Sequence, residues 1–233
     1  MKIKPVIVNG DCLDALKEIP EDEMFDLALI DPPYFDYKTN YRKDKKGKLS
    51  QSLVQQPIEE QKMVVEECIK RLKTGHAFYF FTNWQEAWWF QQRFHTFLRN
   101  EIIWYKGNWT AGDLGGSFAS CYEILFLGVK GKGWEYKGER LPDIWGAKIK
   151  GEDDVIPRVG SNRLHPTEKP VALYKKLIEL STEPGDYVFD PYVGSGASAE
   201  AALLTGRLYL GYEKDPDYWK VANDRVKEVW NAG

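Results

Sequence analysis

The chain has 233 residues, a length that favours one large domain over two. Lys and Arg number 32 against 35 Asp and Glu. The resulting net charge of −3 excludes a uniformly basic nucleic-acid coat protein but allows a local basic patch. Three widely spaced cysteines without C-x-x-C spacing argue against a disulfide framework or a zinc site. No signal peptide or membrane span is expected, so we expect a soluble, cytoplasmic protein.

The first 130 residues alternate short apolar runs with helical patterns, which predicts a mainly parallel sheet. Strands are predicted over 5–10, 25–31, 75–82, 101–106 and 121–130, and helices over 58–72 and 83–100, the second with Asn83 as a candidate cap. The nine tryptophans along the chain have two interpretations, as core residues or as exposed platforms for bases.

Two segments do not fit this alternation. The loop 36–57 begins with a stretch, 36–51, that carries six Lys or Arg against two Asp. It is either a solvated loop or a segment that contacts DNA phosphates without sequence preference. Residues 131–164 are rich in glycine and mixed charge, and a long irregular insertion of this kind is usually functional or disordered.

The C-terminal part returns to a regular pattern. Helices are predicted over 167–181, 196–206 and 216–230, and strands over 186–191 and 207–213. Together with the first half this gives seven strands, and the one at 121–130 is expected to be antiparallel to the others.

The segment FDPYVGSG at 189–196 places an acid at the end of a strand and then a glycine turn that opens a helix. The next strand ends in Glu213, 19 residues after Gly194, where an acid can bind ribose hydroxyls. The turn lacks the full G-x-G-x-x-G pattern, and Asp190 would repel a pyrophosphate. An adenosyl ligand that carries a cationic sulfonium therefore suits this turn better than NAD.

The segment LALIDPPY at 27–34 ends a buried strand with an acid, two prolines and an aromatic residue. Proline fixes φ and lacks an amide donor, so Asp31, Pro32, Pro33 and Tyr34 should form a rigid shelf. Open α/β sheets place their sites at the carboxyl ends of strands, where this shelf lies.

DPPY at 31–34, HPTEKP at 165–170 and FDPYVGSG…GYEKD at 189–215 resemble the S-adenosylmethionine-dependent DNA amino-methyltransferases. The DPPY block precedes the cofactor block, and this circularly permuted order resembles the β group, which methylates adenine N6 or cytosine N4. The resemblance covers nearly the whole chain. It implies an α/β, Rossmann-like methyltransferase with a mostly parallel seven-stranded sheet, one antiparallel strand and a single catalytic domain over 1–233. Tyr192 and Ala197 depart from the usual Phe and Thr, and the Tyr192 hydroxyl needs a partner or water.

The resemblance implies that Asp31 and the Pro32 carbonyl accept hydrogen bonds from the amino group of the target base, while Tyr34 stacks on that base. The nitrogen lone pair would then be directed at the sulfonium methyl for direct in-line transfer. The base must leave the duplex to reach the shelf, so base flipping is expected, and no metal is required.

S-adenosylmethionine is the implied cofactor. Asp190 is expected near the methionine amino group, Glu213 at the ribose, Asp11 and Cys12 at the adenine, and Thr167 and Lys169 at the methionine carboxylate. The full implied cofactor set is Asp11, Cys12, Asp31, His165, Thr167, Lys169, Asp190, Pro191, Tyr192, Gly194, Ser195, Gly196, Glu213 and Lys214.

Double-stranded DNA is the implied partner, and residues 131–164 are the candidate target-recognition insertion. Arg and Asn read base edges, which makes Arg158, Asn162 and Arg163 candidates beside their interpretation as ordinary loop residues. The candidate phosphate contacts in the basic loop are Lys38, Arg42, Lys43, Lys45, Lys46 and Lys48. A homodimer and a cognate restriction endonuclease remain open as further partners.

Adenine-N6 methylation of DNA is favoured, because Asp at the first DPPY position is commoner in adenine enzymes of this family. N4-cytosine methylation is the first alternative. RNA or protein-glutamine methylation, an inactive DNA-binding protein and a nucleotide oxidoreductase are disfavoured by the motif order, the intact DPPY and the missing pyrophosphate loop, respectively.

Overall fold

The computed structural model describes residues 4–21, 24–34, 56–107, 116, 118–146, 156–157, 159, 164 and 167–232. Strands in this part of the chain form one sheet in the order β1-β8-β7-β2-β3-β5-β4-β6. The strands are β1 (Val6–Asn9), β2 (Phe25–Ile30), β3 (Leu72–Thr82), β4 (Leu98–Tyr105), β5 (Tyr122–Val129), β6 (Ile144–Trp145), β7 (Tyr187–Asp190) and β8 (Leu208–Glu213).

Strand β5 runs antiparallel to both of its neighbours, β3 and β4, and the other pairs are parallel. The predicted α/β class, the mostly parallel sheet and the antiparallel strand within 121–130 are therefore confirmed. The eighth strand is the two-residue β6, which adds to the edge beside β4 and lies in the stretch predicted to be irregular.

Helices cover both faces of the sheet. Helices α1, α2 and α3 pack through one apolar cluster, and α4, α5 and α6 pack through another on the opposite face. Their bounds are α1 (Cys12–Glu18), α2 (Ile58–Arg71), α3 (Ala87–Phe94), α4 (Val171–Ser181), α5 (Ala197–Leu204) and α6 (Pro216–Ala232). All six residues of β2 are buried because the strand is central and covered on both sides.

Two predicted helices are too long by four residues or more. The helix predicted over 83–100 is limited to Ala87–Phe94, because the chain from Leu98 onward pairs with β5. The helix predicted from residue 167 begins only at Val171, because Pro170 and its ring disfavour helical backbone at Lys169. Helix α1 carries no strong sequence signal of its own and was not predicted.

Some tryptophans are core residues and others are exposed, and a role of the exposed ones as platforms for bases stays a prediction. Trp89, Trp104 and Trp145 are buried, whereas Trp84 and Trp88 are 67% and 57% exposed. No helix in the part of the chain that the structure describes is both long and apolar enough to span a bilayer.

Candidate active site

Four chain segments that carry the predicted site residues meet at the carboxyl edge of the sheet. Strands β1, β8, β7 and β2 are consecutive neighbours and parallel. Their ends bring Asp11, Glu213, Asp190 and Asp31 to the same edge, although these residues are up to about 200 positions apart in sequence. The predicted location of the site at strand ends is what this topology produces.

Asp31 follows β2 directly and is paired with an ammonium group. Lys169 Nζ lies 2.9 Å from Asp31 Oδ1 and 2.8 Å from Oδ2, and the Tyr174 hydroxyl donates to Oδ2 at 3.3 Å. Burial raises the pKa of Asp31 above its ordinary value, although Lys169 acts in the opposite direction. Lys169 itself is only 4% exposed. The expected role of Lys169 at the methionine carboxylate stays a prediction, and its contact in the structure is with the shelf.

Glu123, on β5, is a second carboxylate at the shelf. Its Oε2 accepts a hydrogen bond from the Tyr34 hydroxyl at 3.2 Å and lies 3.2 Å from Lys169 Nζ, while Oε1 lies 3.5 Å from Lys106 Nζ. Burial alone would raise the pKa of Glu123, but the two ammonium groups lower it below its usual value. Sequence reasoning missed this residue, and the available signal was a charged position in the apolar run YEILFLGV.

The two prolines of the shelf lie between Asp31 and the Tyr34 ring. The buried Gln61 of α2 reaches the Pro33 carbonyl with its Nε2 at 3.4 Å, and the same nitrogen lies 3.4 Å from Glu86 Oε2. Gln61 therefore links the shelf to the beginning of α3. The expected role of the Pro32 carbonyl as an acceptor for the target amino group stays a prediction.

Asp190, the last residue of β7, is held by neutral donors. Its Oδ1 accepts from the Tyr192 amide at 2.7 Å, and its Oδ2 accepts from the Ser198 and Tyr209 hydroxyls at 2.5 and 3.3 Å. Burial raises the pKa of Asp190 to about 7, although the hydroxyl and amide donors oppose that rise. No cation among the described residues forms an ion pair with this carboxylate.

Glu213 fixes the glycine turn (residues 191–196) from the neighbouring strand. Its Oε2 accepts from the Gly194 amide at 2.7 Å and its Oε1 from the Asp215 amide at 2.9 Å. Burial raises the pKa of this carboxyl. Gly196 has a φ of +85°, and a Cβ there would lie 2.9 Å from Ala222 Cα, so only glycine fits between the turn and α6.

Asp11 caps helix α1, with its Oδ1 accepting from the Leu13 amide at 2.9 Å. Its other oxygen lies 2.8 Å from Lys214 Nζ, which connects the end of β1 to the residue after β8. The adjacent Cys12 is buried, and burial raises the pKa of its thiol to about 12. A neutral, apolar thiol is compatible with the predicted place beside an adenine ring, which remains a prediction.

Tyr192 stands where the family usually has Phe, and its additional hydroxyl has a hydrogen-bond partner in the structure. The extra hydroxyl donates to Gln56 Oε1 at 2.6 Å, which confirms the expected need for a partner. Ala197 lacks a hydroxyl, but Ser198 supplies one to Asp190 from the next position of α5.

Arg225, on α6, connects two site segments and was also missed. Its guanidinium lies 2.7 Å from Glu168 in the HPTEKP segment and 2.5 Å from Glu200 on α5, and it reaches the Ser195 carbonyl at 3.3 Å. It therefore holds the residue before Lys169 against the glycine turn.

Several predicted residues lie outside the described part of the chain, so their expected roles stay predictions. They are His165, Lys38, Arg42, Lys43, Lys45, Lys46, Lys48, Arg158, Asn162 and Arg163. Pro191 and Ser195 belong to the glycine turn and Thr167 precedes Lys169 by two residues, and the expected cofactor contacts of all three stay predictions. No cluster of His, Cys, Asp or Glu that could hold a metal ion occurs in the described ranges.

Three features of this chain define the class of N6/N4 amino-methyltransferases. They are a mostly parallel sheet with one antiparallel strand, a DPPY shelf, and a glycine turn at the carboxyl edge of the sheet. The sequence profile of the family described as DNA methylase, for N6 and N4 methyltransferases, matches residues 25–224. Because this match covers most of the chain, the protein belongs to that family of DNA methyltransferases.

Individual relatives agree with this assignment. The type II methyltransferase M.HinfI of Haemophilus influenzae is 27% identical over 250 aligned positions, which cover 96% of this chain and 68% of the relative. The DNA adenine methyltransferase YhdJ of Escherichia coli K12 is also 27% identical, over 94% of this chain and 82% of its own length.

Two solved structures share the fold. The M1.HpyAVI–SAM complex superposes with a TM-score of 0.66 at 21% identity, covering 94% of this chain and 98% of that one. The cytosine-N4-specific PvuII DNA methyltransferase superposes with a TM-score of 0.73 at 17% identity, covering 99% and 93%. At these identities the superpositions support the fold.

Proposed function

We propose that this DNA methyltransferase transfers a methyl group from S-adenosylmethionine to the N6 amino group of adenine in double-stranded DNA. The observation that carries the choice of adenine is Asp31 at the first position of the shelf, because the resemblance implies that Asp is commoner there in adenine enzymes than in N4-cytosine enzymes. Asp31 can accept hydrogen bonds from amino protons, and the ring of Tyr34 lies two prolines away. The adenine relative of Escherichia coli supports the same choice.

The glycine turn has the charge that S-adenosylmethionine requires. Asp190 is buried and Glu213 is partly buried, and neither forms an ion pair with a cation among the described residues; their described partners are hydroxyl and amide donors. A ligand that brings an ammonium and a sulfonium would balance their charge. When bound there, S-adenosylmethionine provides an electrophilic methyl group.

The residues of the chain then perform two tasks. Asp31, together with the Pro32 carbonyl, holds the amino group so that its lone pair is available for attack, and Tyr34 orients the base by stacking. Fixed acceptors aimed at developing positive charge stabilise the transition state without reorganisation. A flipped base is required, because a base stacked within the duplex cannot present its amino group to the shelf.

The basic loop at 36–57 and the insertion at 131–164 are proposed to contact DNA, the first through phosphates and the second through base edges. An enzyme acting on chromosomal or phage DNA in bacteria would work in the cytoplasm. A homodimer and a partner restriction endonuclease remain predictions.

The test is a methylation assay. Purified protein, labelled S-adenosylmethionine and unmethylated duplex DNA are incubated, and the DNA is digested to nucleosides for mass spectrometry. We expect N6-methyladenine. Detection of N4-methylcytosine would mean that the target base is cytosine and would overturn the choice of adenine, although the amino-methyltransferase chemistry would be kept. DNA without any methylated nucleoside would overturn the whole proposal.

A further inference from the structure

The ammonium of Lys169 lies between two carboxylates from different parts of the fold. It is 2.8 Å from Asp31 Oδ2 and 3.2 Å from Glu123 Oε2, and it is almost completely buried. Burial would lower the pKa of Lys169, but the two carboxylates raise it above its ordinary value, so the side chain is charged. A buried charge of this kind requires an opposite charge at all times.

This arrangement creates a conflict at Asp31. If the proposed function is correct, Asp31 must accept hydrogen bonds from the amino group of the target base. In the structure both of its oxygens lie within 3 Å of Lys169, and one of them also accepts from Tyr174. If Asp31 were the sole partner of Lys169, the ammonium would lose its compensating charge whenever the amino group of the target base bound to an Asp31 oxygen.

Glu123 resolves the conflict because it is already a partner of the same ammonium. Its pKa is lowered by Lys169 and Lys106 against the effect of burial, so it stays ionised. Its Oε2 also accepts the Tyr34 hydroxyl, so a single carboxylate holds both the ammonium and the aromatic ring of the shelf.

We propose that Glu123 is a positioning residue for methyl transfer, which shares Lys169 with Asp31 so that Asp31 can bind the target amino group, and which orients Tyr34 through its hydroxyl. This proposal rests on the proposed function of the shelf. Glu123 does not touch the base itself. It keeps the buried ammonium paired while the hydrogen bonds of Asp31 change.

The first test compares Glu123→Gln with wild type and with Glu101→Gln, an exposed position on the neighbouring strand β4 that loses the same charge. We expect kcat to fall about 100-fold in Glu123→Gln, as for a displaced catalytic group. The KM for S-adenosylmethionine should stay within about twofold, because the glycine turn is untouched. Wild-type kcat in Glu123→Gln would overturn the proposal.

A second measurement, the titration of the Asp31 carboxyl, does not depend on methyltransferase activity. The charged and titratable groups that face Asp31 are Lys169 before α4, Tyr174 on α4, Glu123 on β5, Asp190 on β7 and Tyr34 on the shelf. Glu123 raises the pKa of Asp31, so Glu123→Gln should lower it. Carbon-13 NMR titration of the Asp31 carboxyl in the free protein, assigned with Asp31→Asn, measures this shift. An unchanged Asp31 titration would contradict the shared ammonium.

These readouts separate the two proposals. The nucleoside made by wild type tests the choice of base, whereas the Asp31 titration tests Glu123 even if wild type methylates another base. If Glu123→Gln does not fold, Glu123→Asp keeps the charge but withdraws it from Lys169 and Tyr34. Its kcat should fall with the KM for S-adenosylmethionine retained, and a wild-type kcat there would overturn the proposal.

Discussion

Asp31 and Asp190 end neighbouring parallel strands, and both are largely buried, but their charges are balanced in different ways. Asp31 lies against the ammonium of Lys169, with Glu123 and Lys106 completing a group of two carboxylates and two ammonium groups. Asp190 accepts from one amide and two hydroxyls instead. The shelf therefore has balanced charges without a ligand, whereas the carboxylates at the glycine turn have no cationic partner among the described residues and, when ionised, favour a cationic ligand.

This difference assigns separate tasks to the two regions. A charge-balanced shelf can receive the neutral amino group of a base by exchanging hydrogen bonds. A turn with unbalanced carboxylates can bind a cation and gain from the pairing. If the comparison is correct, substitutions in the two regions should affect different kinetic constants.

The largest effect is expected for Asp31→Ala. Removing the proposed acceptor should lower kcat by about 100- to 1000-fold, the cost typical of losing one preorganised electrostatic group. Affinity for S-adenosylmethionine, measured by calorimetry, should stay within a few-fold, because Asp190 and Glu213 remain. Asp224→Ala, at an exposed position of α6, is the matched control and should behave as wild type. Full activity in Asp31→Ala would refute the assignment of the shelf.

Asp190→Asn should give the opposite pattern. We expect affinity for S-adenosylmethionine to fall about 10- to 100-fold, the usual cost of one charge-assisted contact, with kcat at saturation nearly retained. The pKa of Asp190 is about 7, so the wild-type affinity should rise as pH increases towards and through that value, because the ionised form binds the cation. Calorimetry across pH 5.5 to 8 in roughly half-unit steps would check this, and Asp190→Asn should remove the rise.

The raised pKa of Asp190 also predicts how the stability of the free protein changes with pH. The folded state holds the Asp190 proton up to a pKa of about 7, whereas an unfolded Asp releases it near its ordinary value of 3.8. The folded state therefore binds more protons between these values, and its stability should decrease as pH rises through this window. Asp190→Asn should reduce that decrease in urea unfolding. An identical pH dependence in both proteins would contradict the raised pKa.

The smallest effect is expected for Tyr192→Phe, which removes one neutral hydrogen bond, to Gln56, beside the glycine turn. The free energy of unfolding should fall by about 1 kcal/mol. Urea titration measures it, with Tyr122→Phe at the exposed start of β5 as the control. A loss above about 3 kcal/mol would mean that the Tyr192 hydroxyl belongs to a larger network than the one described.

Local sequence patterns predicted much of the fold. Apolar runs marked the seven strands of four or more residues, and the positions of Asp31, Asp190 and Glu213 at strand ends followed directly. The ends of helices were less predictable. The chain leaves α3 early because β4 requires Leu98 and its successors as partners of β5, and this pairing is not visible in a local window.

The sequence by itself determined the order of the strands and helices other than α1 and β6, the family motifs and the acids at the strand ends of the site, because these depend on neighbours within a few positions. Only the tertiary structure decided which charges meet. Lys169 reaches Asp31 across 138 positions, Glu123 lies on another strand, and Arg225 connects Glu168 and Ser195 from the last helix. Burial and ion pairing depend on where strands and helices pack, so the balanced shelf and the unbalanced turn could not be read from either motif alone.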